Sequence, residues 1–372
     1  MYRLDNRFFA ALMATVLSLF ASGCMQANAT IVEYAFPVVS LPLPQALTLT
    51  RITGADMPQT TRFGVAGTDL CRPFVLENNS TGYLCGDTFT GSDPDDPNQA
   101  TDWRSPVMLR SNQTPIPGQP LEFDSAAGLA GDGIAPEIMD NGHKSGGEYT
   151  VIPTDGISFP ETGEEIVSYM SISQWTDRDD PAWENNYAGL AWSPDGNHFY
   201  RIGPVWEETA SHDSPFQVWS MQRDGPFVYI ITVQAGRRPS PEGHMDLLRV
   251  PWNSMLDQSM YTCWNGANWG TACQPILTGS FGEPSLRLLR DGTWMMSYLD
   301  ASRPDHPAIV TRYAQSPTDG WSQPKVQITG EQLPRVYAGF PHPSSTKDNV
   351  IFFVSTYQPH KQYGVLIFKG TL

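Results

Sequence analysis

Positively charged side chains are scarce in this sequence. Only 23 Lys and Arg residues stand against 39 Asp and Glu residues, so the formal net charge is −16 at neutral pH. No run of five or more basic residues occurs. Because this charge would repel a phosphate backbone, the sequence excludes a nucleic acid partner.

Long uninterrupted helical stretches are also missing. The 372 residues include 32 Gly and 32 Pro, which interrupt most windows long enough for a three-turn helix, and only 17% of the residues are charged. These features argue against helical bundles and coiled coils. With 40% hydrophobic and 11% aromatic residues, the chain has enough apolar material for a substantial core. The composition therefore predicts a folded β protein, while the length alone fits one large domain or two.

No apolar run is long enough to cross a membrane as a helix. The run at 8–20 follows two arginines and precedes small residues, which is the pattern of a secretory signal. We predict a signal peptide at 1–23, acylation of Cys24 as in bacterial lipoproteins, and a Pro-rich linker at 24–45. Cleavage after Ala29 without acylation is the alternative. Both versions predict an exported protein, either lipid-anchored at the outer membrane or cell surface, or free in the periplasm or outside the cell.

Cysteine is rare, and its spacing excludes the common zinc motifs. Apart from Cys24, four cysteines remain, with no Cys-x-x-Cys pair and no nearby His pair. An even number of cysteines in an exported protein indicates disulfides. Of the three pairings, Cys71 with Cys85 and Cys263 with Cys273 are preferred because each pair brackets a segment of turn residues.

Short apolar and aromatic runs recur along the rest of the chain, separated by turn residues. Their intervals are uneven, so no strict repeat period is present. Five groups of about four strands fit the pattern, at 63–90, 149–175 with 187–202, 216–250, 284–298 with 309–314, and 336–368. We predict a single all-β domain at 46–372, a five-bladed β-propeller, with a sandwich or jelly roll as the alternative. Closing such a ring requires the last strand to pair with the beginning of the domain.

Two aspartates stand in similar small-residue surroundings. Asp69 ends the sequence Gly-Thr-Asp, and Asp87 lies in Gly-Asp-Thr-Phe. Two carboxyl groups near an aromatic side chain are what glycoside cleavage needs, one to protonate the leaving oxygen and one to act as base or nucleophile. The alternative is that both aspartates cap turns.

The first disulfide and the aspartate pair fit one hairpin. In an antiparallel ladder, the residue numbers of directly opposed residues add up to a constant. The numbers of Cys71 and Cys85 have the same sum as those of Asp69 and Asp87. The register therefore predicts the two aspartates opposite each other on one face, with Cβ atoms roughly 4.5–5.5 Å apart. At that distance one carboxyl group should hold a proton near neutral pH. Carboxyl groups about 5 Å apart favour retention of anomeric configuration, whereas more than about 6.5 Å favours inversion.

Six motifs together resemble one family. They are Gly-Thr-Asp at 67–69, Gly-Asp-Thr-Phe at 86–89, Trp-Arg-Ser-Pro at 103–106, Ile-Pro-Thr-Asp-Gly-Ile at 152–157, Gly-Glu-Pro-Ser at 282–285 and Tyr-Ala-Gly-Phe-Pro-His-Pro at 337–343. From about residue 61 onward, the chain is similar to secreted bacterial proteins that were long of unknown function and are now grouped with the endo-D-arabinanases, glycoside hydrolase family 183. The resemblance implies a five-bladed propeller that cleaves α-linked D-arabinofuranose chains of the arabinogalactan and lipoarabinomannan type. It also implies that Asp69 and Asp87 are the catalytic pair.

Further residues are candidates for substrate binding. Aromatic rings can stack on sugar faces, arginines can donate to hydroxyl groups, and a third carboxyl group can orient the acid. The candidates are Trp103, Arg104, Tyr187, Arg237, Glu283, Tyr337 and His342. For each candidate, the alternative to substrate binding is a structural role: packing in the core, pairing between blades or a place in a solvated loop. The mechanism requires no metal and no cofactor, and the acidic run at 93–98 is interpreted as a solvated loop in preference to a calcium site.

The sequence thus predicts a monomeric glycoside hydrolase acting within a polysaccharide, D-arabinan. A carbohydrate-binding propeller without turnover is an alternative from another functional class. A propeller glycosidase acting on a different furanoside is a third, because a fold does not determine its substrate.

Overall fold

The structure is a computed structural model of the chain, and it describes residues 47–176, 182–238, 243–302, 306–318, 320–358 and 362–371. The predicted signal peptide at 1–23, the acylation site Cys24 and the linker at 24–45 lie outside the described residues. Within these ranges the fold is all-β, as the composition predicts, with one four-residue α-helix and two 3-10 helices. No helix in the described part of the chain is long and apolar enough to cross a membrane.

The described residues contain twenty-four strands and three short helices, joined by turns and loops. The strands are β1 (Thr50–Arg51), β2 (Gly67–Thr68), β3 (Arg72–Val75), β4 (Thr81–Cys85), β5 (Thr88–Phe89), β6 (Val107–Ser111), β7 (Ser125–Ala126), β8 (Thr150–Phe159), β9 (Glu164–Trp175), β10 (Trp183–Ser193), β11 (Val205–Glu207), β12 (Val218–Asp224), β13 (Phe227–Val233), β14 (His244–Pro251), β15 (Thr262–Trp264), β16 (Trp269–Gly270), β17 (Leu277–Thr278), β18 (Phe281–Leu288), β19 (Trp294–Asp300), β20 (Ala308–Ala314), β21 (Lys325–Thr329), β22 (Val336–Pro341), β23 (Val350–Gln358) and β24 (Gln362–Gly370). The helices are α1 (Pro58–Thr61) and the 3-10 turns Trp252–Ser254 and Gln258–Met260.

Strands that follow one another in sequence pair antiparallel into separate sheets. The sheet orders are β3-β4-β6-β7, β11-β10-β9-β8, β12-β13-β14-β15-β16 with β17 on β14, β18-β19-β20-β21, β1-β24-β23-β22, and a two-stranded β2-β5. This arrangement confirms the series of hairpins that the alternating apolar and turn segments predict. The number of propeller blades remains a prediction.

The beginning and the end of the described domain lie in one sheet. Thr50 in β1 pairs with Ile367 in β24, and Arg51 pairs with Leu366. The strand pairing predicted from the need to close the sheets is therefore present. It places the first strand of the domain beside the last.

The first strands of the larger sheets contact each other in succession. β3 contacts β8, β8 contacts β12, β12 contacts β18, β18 contacts β22, and β22 contacts β3. At this centre the fully buried carboxylate of Asp155 on β8 binds Arg287 of β18, with N–O distances of 2.9 and 3.0 Å. Arg72 of β3 lies 3.5 Å away, and Ser220 of β12 donates a hydrogen bond of 2.6 Å. One buried anion thus connects four sheets.

Apolar side chains fill the space on both faces of the sheets. Phe352 and Phe353 are adjacent in β23 and fully buried, yet they belong to two different apolar clusters. Successive side chains of a strand point to opposite faces, so both faces of this strand are covered. The unbroken apolar run at 350–354 is the sequence signal of such a strand.

Both predicted disulfides are present. Cys71 is bonded to Cys85, and Cys263 is bonded to Cys273. The first bond joins the residue before β3 to the last residue of β4, and the second joins β15 to the segment after β16. Structural disulfides persist in oxidising compartments, so both bonds are consistent with an exported protein.

Candidate active site

Asp69 and Asp87 lie at the same end of the first hairpin. β2 pairs with β5, and β3 pairs with β4, in the register that the sequence predicts. Between these pairs, Leu70 and Cys71 adopt left-handed φ values of 57° and 41°. Strict alternation of side chains ends at such a turn, so the turn decides where each carboxyl group points. The predicted register is confirmed. The alternation of side chains, on which the prediction of a shared face depends, does not continue through this turn.

The carboxyl group of Asp69 is half-buried and has few hydrogen-bond partners. Its Oδ2 accepts a hydrogen bond of 2.8 Å from the hydroxyl group of Tyr337, while its buried Oδ1 has no partner among the described residues. Oδ1 lies against Gly86, where an added Cβ atom would stand only 2.4 Å from it. The glycine therefore provides the space that this carboxyl group occupies.

Burial and a neighbouring charge make Asp69 a weak acid. Burial and, to a smaller extent, the negative charge of Asp87 raise the pKa of Asp69 to about 8, although the hydroxyl groups of Tyr337 and Tyr363 act in the opposite direction. At neutral pH, Asp69 thus holds a proton. A protonated carboxyl group at this position can act as a general acid.

Asp87 has more hydrogen-bond donors than Asp69. Its Oδ1 accepts hydrogen bonds from the indole nitrogen of Trp103 at 2.8 Å and from the hydroxyl group of Thr150 at 3.0 Å. Burial raises the pKa of Asp87, and these two hydrogen bonds oppose that rise because they stabilise the charged form. The two aspartates therefore occupy unequal surroundings, which is the arrangement that separates an acid from a base or nucleophile.

A third carboxyl group, that of Glu283, completes the site. It is 8% exposed, and its Oε1 accepts a hydrogen bond of 2.5 Å from Nη2 of Arg237. The guanidinium group of Arg237 lies 5.3 Å from the ring centre of Trp183 and 5.7 Å from that of Tyr337. The charge of Glu283 contributes to the raised pKa of Asp69. The structure thus brings Glu283, Arg237 and Tyr337 together beside the acid.

Backbone strain is concentrated around these side chains. Arg237, Glu283 and Ala338 have left-handed φ values of 57°, 41° and 53°, in addition to Leu70 and Cys71. Residues other than glycine in this region cost of order 1–3 kcal/mol each and cluster at functional sites. The fold therefore holds this end of the sheets in a conformation that the local sequence does not favour.

Trp103 connects Asp87 to a histidine and a further acid. The ring centre of Trp103 lies 4.4 Å from that of His143 and 5.3 Å from that of Tyr149. Nε2 of His143 is 2.6 Å from Oε1 of Glu137, and both side chains are about one-quarter exposed. An imidazolium at this position favours the ionised form of Asp87.

Arg104, a predicted ligand residue, has a structural role instead. Its guanidinium group donates hydrogen bonds to the carbonyl oxygens of Asp102 at 2.7 Å, Ala135 at 2.7 Å and Gly64 at 2.6 Å. The side chain is 7% exposed. It joins three backbone segments, so we do not propose Arg104 for sugar binding.

His342 and Tyr187 are also engaged within the protein. The buried ring of His342 bonds to the hydroxyl groups of Tyr83 at 3.2 Å and Ser344 at 2.7 Å, and burial lowers its pKa to about 3. The hydroxyl group of Tyr187 accepts a hydrogen bond from Arg201. Both nitrogens of His342 thus have protein partners, and the expected role in sugar binding is not proposed for either residue.

Several residues of the site do not follow from the sequence reasoning. They are Glu137, His143, Thr150, Trp183 and Tyr363. Thr150 lies two residues before the Ile-Pro-Thr-Asp-Gly-Ile motif, which is the signal that could have suggested it. The others reach the site from distant segments, so their roles depend on tertiary packing.

The acidic run at 93–98 also has protein partners. Oδ1 of Asp95 accepts a hydrogen bond of 2.6 Å from Tyr357, and Asp96 accepts one of 2.9 Å from the backbone of Asn98. No cluster of three or more potential metal-ligating His, Cys, Asp or Glu side chains occurs in the ranges that the structure describes.

The fold is that of glycosidases. A solved structure of the exo-β-1,3-galactanase of Phanerochaete chrysosporium superposes with a TM-score of 0.51 at 12% sequence identity, covering 87% of this chain and 64% of the galactanase. At this identity the likeness shows the fold alone.

Residues 55–369 match the family DUF4185, described as a domain of unknown function, and the chain belongs to this family. It is 45% identical to the notoamide biosynthesis cluster protein J' of Aspergillus versicolor over 87% of this chain and 91% of that protein. It is 22% identical to an uncharacterized 35.9 kDa protein of Mycolicibacterium smegmatis over 81% of this chain and 90% of that protein.

Proposed function

We propose that the protein is a glycoside hydrolase that uses Asp69 as general acid and Asp87 as base or nucleophile. The observation that carries this proposal is the inequality of the two carboxyl groups at one end of a hairpin. Burial and the charge of Asp87 hold a proton on Asp69, with a pKa of about 8, whereas Asp87 accepts two hydrogen bonds that favour its ionised form. A glycosidase needs one protonated and one ionised carboxyl group in the same site.

The proposed reaction transfers one proton and replaces one bond. Asp69 donates its proton to the glycosidic oxygen as the bond from that oxygen to the anomeric carbon breaks. Asp87 then either removes a proton from the water that attacks the anomeric carbon, or attacks this carbon itself and is released by water in a second step. Glu283, held by Arg237, lies close enough to Asp69 to influence its pKa and orientation.

The proposed substrate is D-arabinan cleaved internally at α-D-arabinofuranosyl linkages. The six motifs shared with endo-D-arabinanases support this choice. The partly exposed aromatic rings of Trp103 and Tyr149, next to Asp87, offer surfaces for sugar rings. The succession of contacts among the first strands of the sheets supports a five-bladed propeller with the site at one end. Export, either with a lipid anchor at Cys24 or as a free secreted protein, and a monomeric state also belong to the proposal.

Release of oligosaccharides from arabinogalactan tests this function. We expect the purified wild-type protein and the matched control Asp224→Asn, at the exposed β12–β13 turn, to release products, and Asp69→Asn and Asp87→Asn to release none. Proton NMR of the first product distinguishes retention from inversion. Binding of the polymer without release by the wild type would replace the enzyme with the carbohydrate-binding alternative. Release from L-arabinan alone would favour the glycosidase on another furanoside.

A further inference from the structure

Three asparagines in the described residues stand in the sequence Asn-x-Ser or Asn-x-Thr. They are Asn78, Asn79 and Asn112. This tripeptide is the acceptor for N-glycosylation, which modifies exposed loops of exported proteins. Another copy, at 28–30, lies outside the described residues. The two disulfides provide independent support for export.

The turn between β3 and β4 presents Asn79. Its side chain is exposed, and its φ of 67° is that of a residue at the tip of a tight turn. The neighbouring Asn78 is tied into the turn, since its Oδ1 accepts hydrogen bonds from the backbone and the hydroxyl group of Ser80 at 2.9 and 2.6 Å. Glycosylation leaves the amide oxygen in place, so these bonds do not exclude Asn78, but they hold its side chain against the turn. Asn79 is favoured because its exposed side chain stands at the tip of the turn.

Asn112 follows directly on the end of β6. It is exposed, as are Gln113 and Thr114, which complete the acceptor sequence. Its side-chain nitrogen donates a hydrogen bond of 3.0 Å to Asp124. A glycosylated amide keeps one N–H group, so this hydrogen bond is compatible with the modification.

Both positions lie at the end of the first sheet that is remote from the aspartates. Thr81, which opens β4, pairs with Ser111, which ends β6, whereas Cys85 at the other end of β4 leads to Asp87. Five residues of strand separate the two ends by roughly 15 Å. Glycans at the first end leave the end with the carboxyl groups open.

We propose that Asn79 and Asn112 are N-glycosylation sites of the exported protein. This inference does not depend on the proposed hydrolase activity. It goes with the alternative in which the chain is cleaved after Ala29 and secreted without acylation of Cys24. A host that secretes the full chain through a pathway with an oligosaccharyltransferase, such as a filamentous fungus, allows a direct test. The secreted protein is digested and deglycosylated in heavy-oxygen water, which converts each glycosylated asparagine into a mass-labelled aspartate. We expect the label at both positions.

Matched variants separate modification from chance deamidation. Thr114→Ala should remove the label from Asn112, whereas Thr114→Ser should retain it. Asn78→Gln should leave the glycan on the β3–β4 turn, and Asn78→Gln combined with Asn79→Gln should remove it. Secreted wild-type protein with an intact mass equal to that of the bare polypeptide would overturn the proposal, as would a label on Asn78 in place of Asn79.

Discussion

Two aspartates, Asp155 at the centre of the fold and Asp69 at the candidate site, respond to burial in opposite ways. Burial pushes the pKa of Asp155 upward, but the guanidinium groups of Arg287 and Arg72 outweigh it and hold the pKa below its ordinary value. Burial also raises the pKa of Asp69, and there the charge of Asp87 adds to the rise, so the pKa reaches about 8. The same side chain is thus held as an anion in one place and keeps a proton at neutral pH in the other.

The comparison shows that the partners of a buried carboxyl group decide its role. Asp155 accepts two hydrogen bonds from β12, one from Ser220 and one from the backbone of Met221, besides its ion pairs, so its charge is compensated. Asp69 has one close hydroxyl partner and an oxygen with none in the described part of the chain. The compensated carboxylate of Asp155 connects the sheets. The carboxyl group of Asp69, whose charge would not be compensated in this way, is available for proton transfer. Five predictions test this distinction.

Replacing either aspartate of the site should have the largest effect. Asp69→Asn and Asp87→Asn each remove the proton donor or acceptor, and we expect kcat/KM on arabinogalactan to fall by about 10²–10⁴-fold. Circular dichroism should stay close to wild type, and neither variant should be markedly less stable, because neither carboxyl group holds the fold together. A single variant that keeps full activity would contradict the assignment.

Removing the central anion should instead damage stability. Asp155→Asn leaves Arg72 and Arg287 buried without a counter-charge, and we expect the free energy of unfolding to fall by about 3–5 kcal/mol. Urea unfolding followed by tryptophan fluorescence measures this change. Asp224→Asn, at an exposed turn, is the control and should change stability by less than about 0.5 kcal/mol. Equal effects of the two variants would refute the central role of Asp155.

The pH profile should reveal the proton on Asp69. Its folded pKa of about 8 lies above the ordinary value of 3.8, so the folded state binds more protons between these values. Activity should fall about tenfold per pH unit above pH 8, and the stability contributed by this group should decrease as the pH rises from about 4 to 8. Asp155 has the opposite sign, and its contribution is lost as the pH falls below about 4. Urea titrations of wild type and Asp69→Asn across this range measure the difference.

Gly86→Ala should disturb the site through a steric clash. The new Cβ atom would meet Oδ1 of Asp69 at 2.4 Å, and we expect a loss of about 1–3 kcal/mol of stability together with reduced activity. Gly270→Ala is the matched control, because an added Cβ atom there meets nothing within 4 Å. Thermal unfolding of both variants and activity assays provide the comparison. A silent Gly86→Ala would show that Asp69 does not occupy the described position.

Tyr337→Phe should have the smallest effect. The hydroxyl group of Tyr337 stabilises the ionised form of Asp69, so its loss should raise the pKa of Asp69. A hydrogen bond worth about 1 kcal/mol corresponds to an upward shift of the alkaline limb by about 0.5–1 pH unit. The pH dependence of kcat/KM measures this shift. Tyr313→Phe, in a different sheet, should leave the limb in place, and a downward shift in Tyr337→Phe would reverse the assigned role of the hydroxyl group.

Sequence patterns alone are enough to predict the all-β class, the hairpins in series, both disulfides and the register that sets Asp69 and Asp87 at one end of the first hairpin. These features depend on local rules, namely alternation of apolar residues, turn residues and the constant index sum of an antiparallel ladder. The turn at Leu70 and Cys71 limits this reasoning, since a left-handed backbone there is not marked by a glycine.

Which side chains contact one another depends on the packing of the whole fold. Arg104 and His342 resemble ligand residues in sequence, yet backbone carbonyl groups surround one and core rings surround the other. Tyr363 and His143 reach the aspartates from segments far apart along the chain. The proton on Asp69 likewise depends on burial and on the charge of Asp87, which are properties of packed neighbours in space and not of a motif.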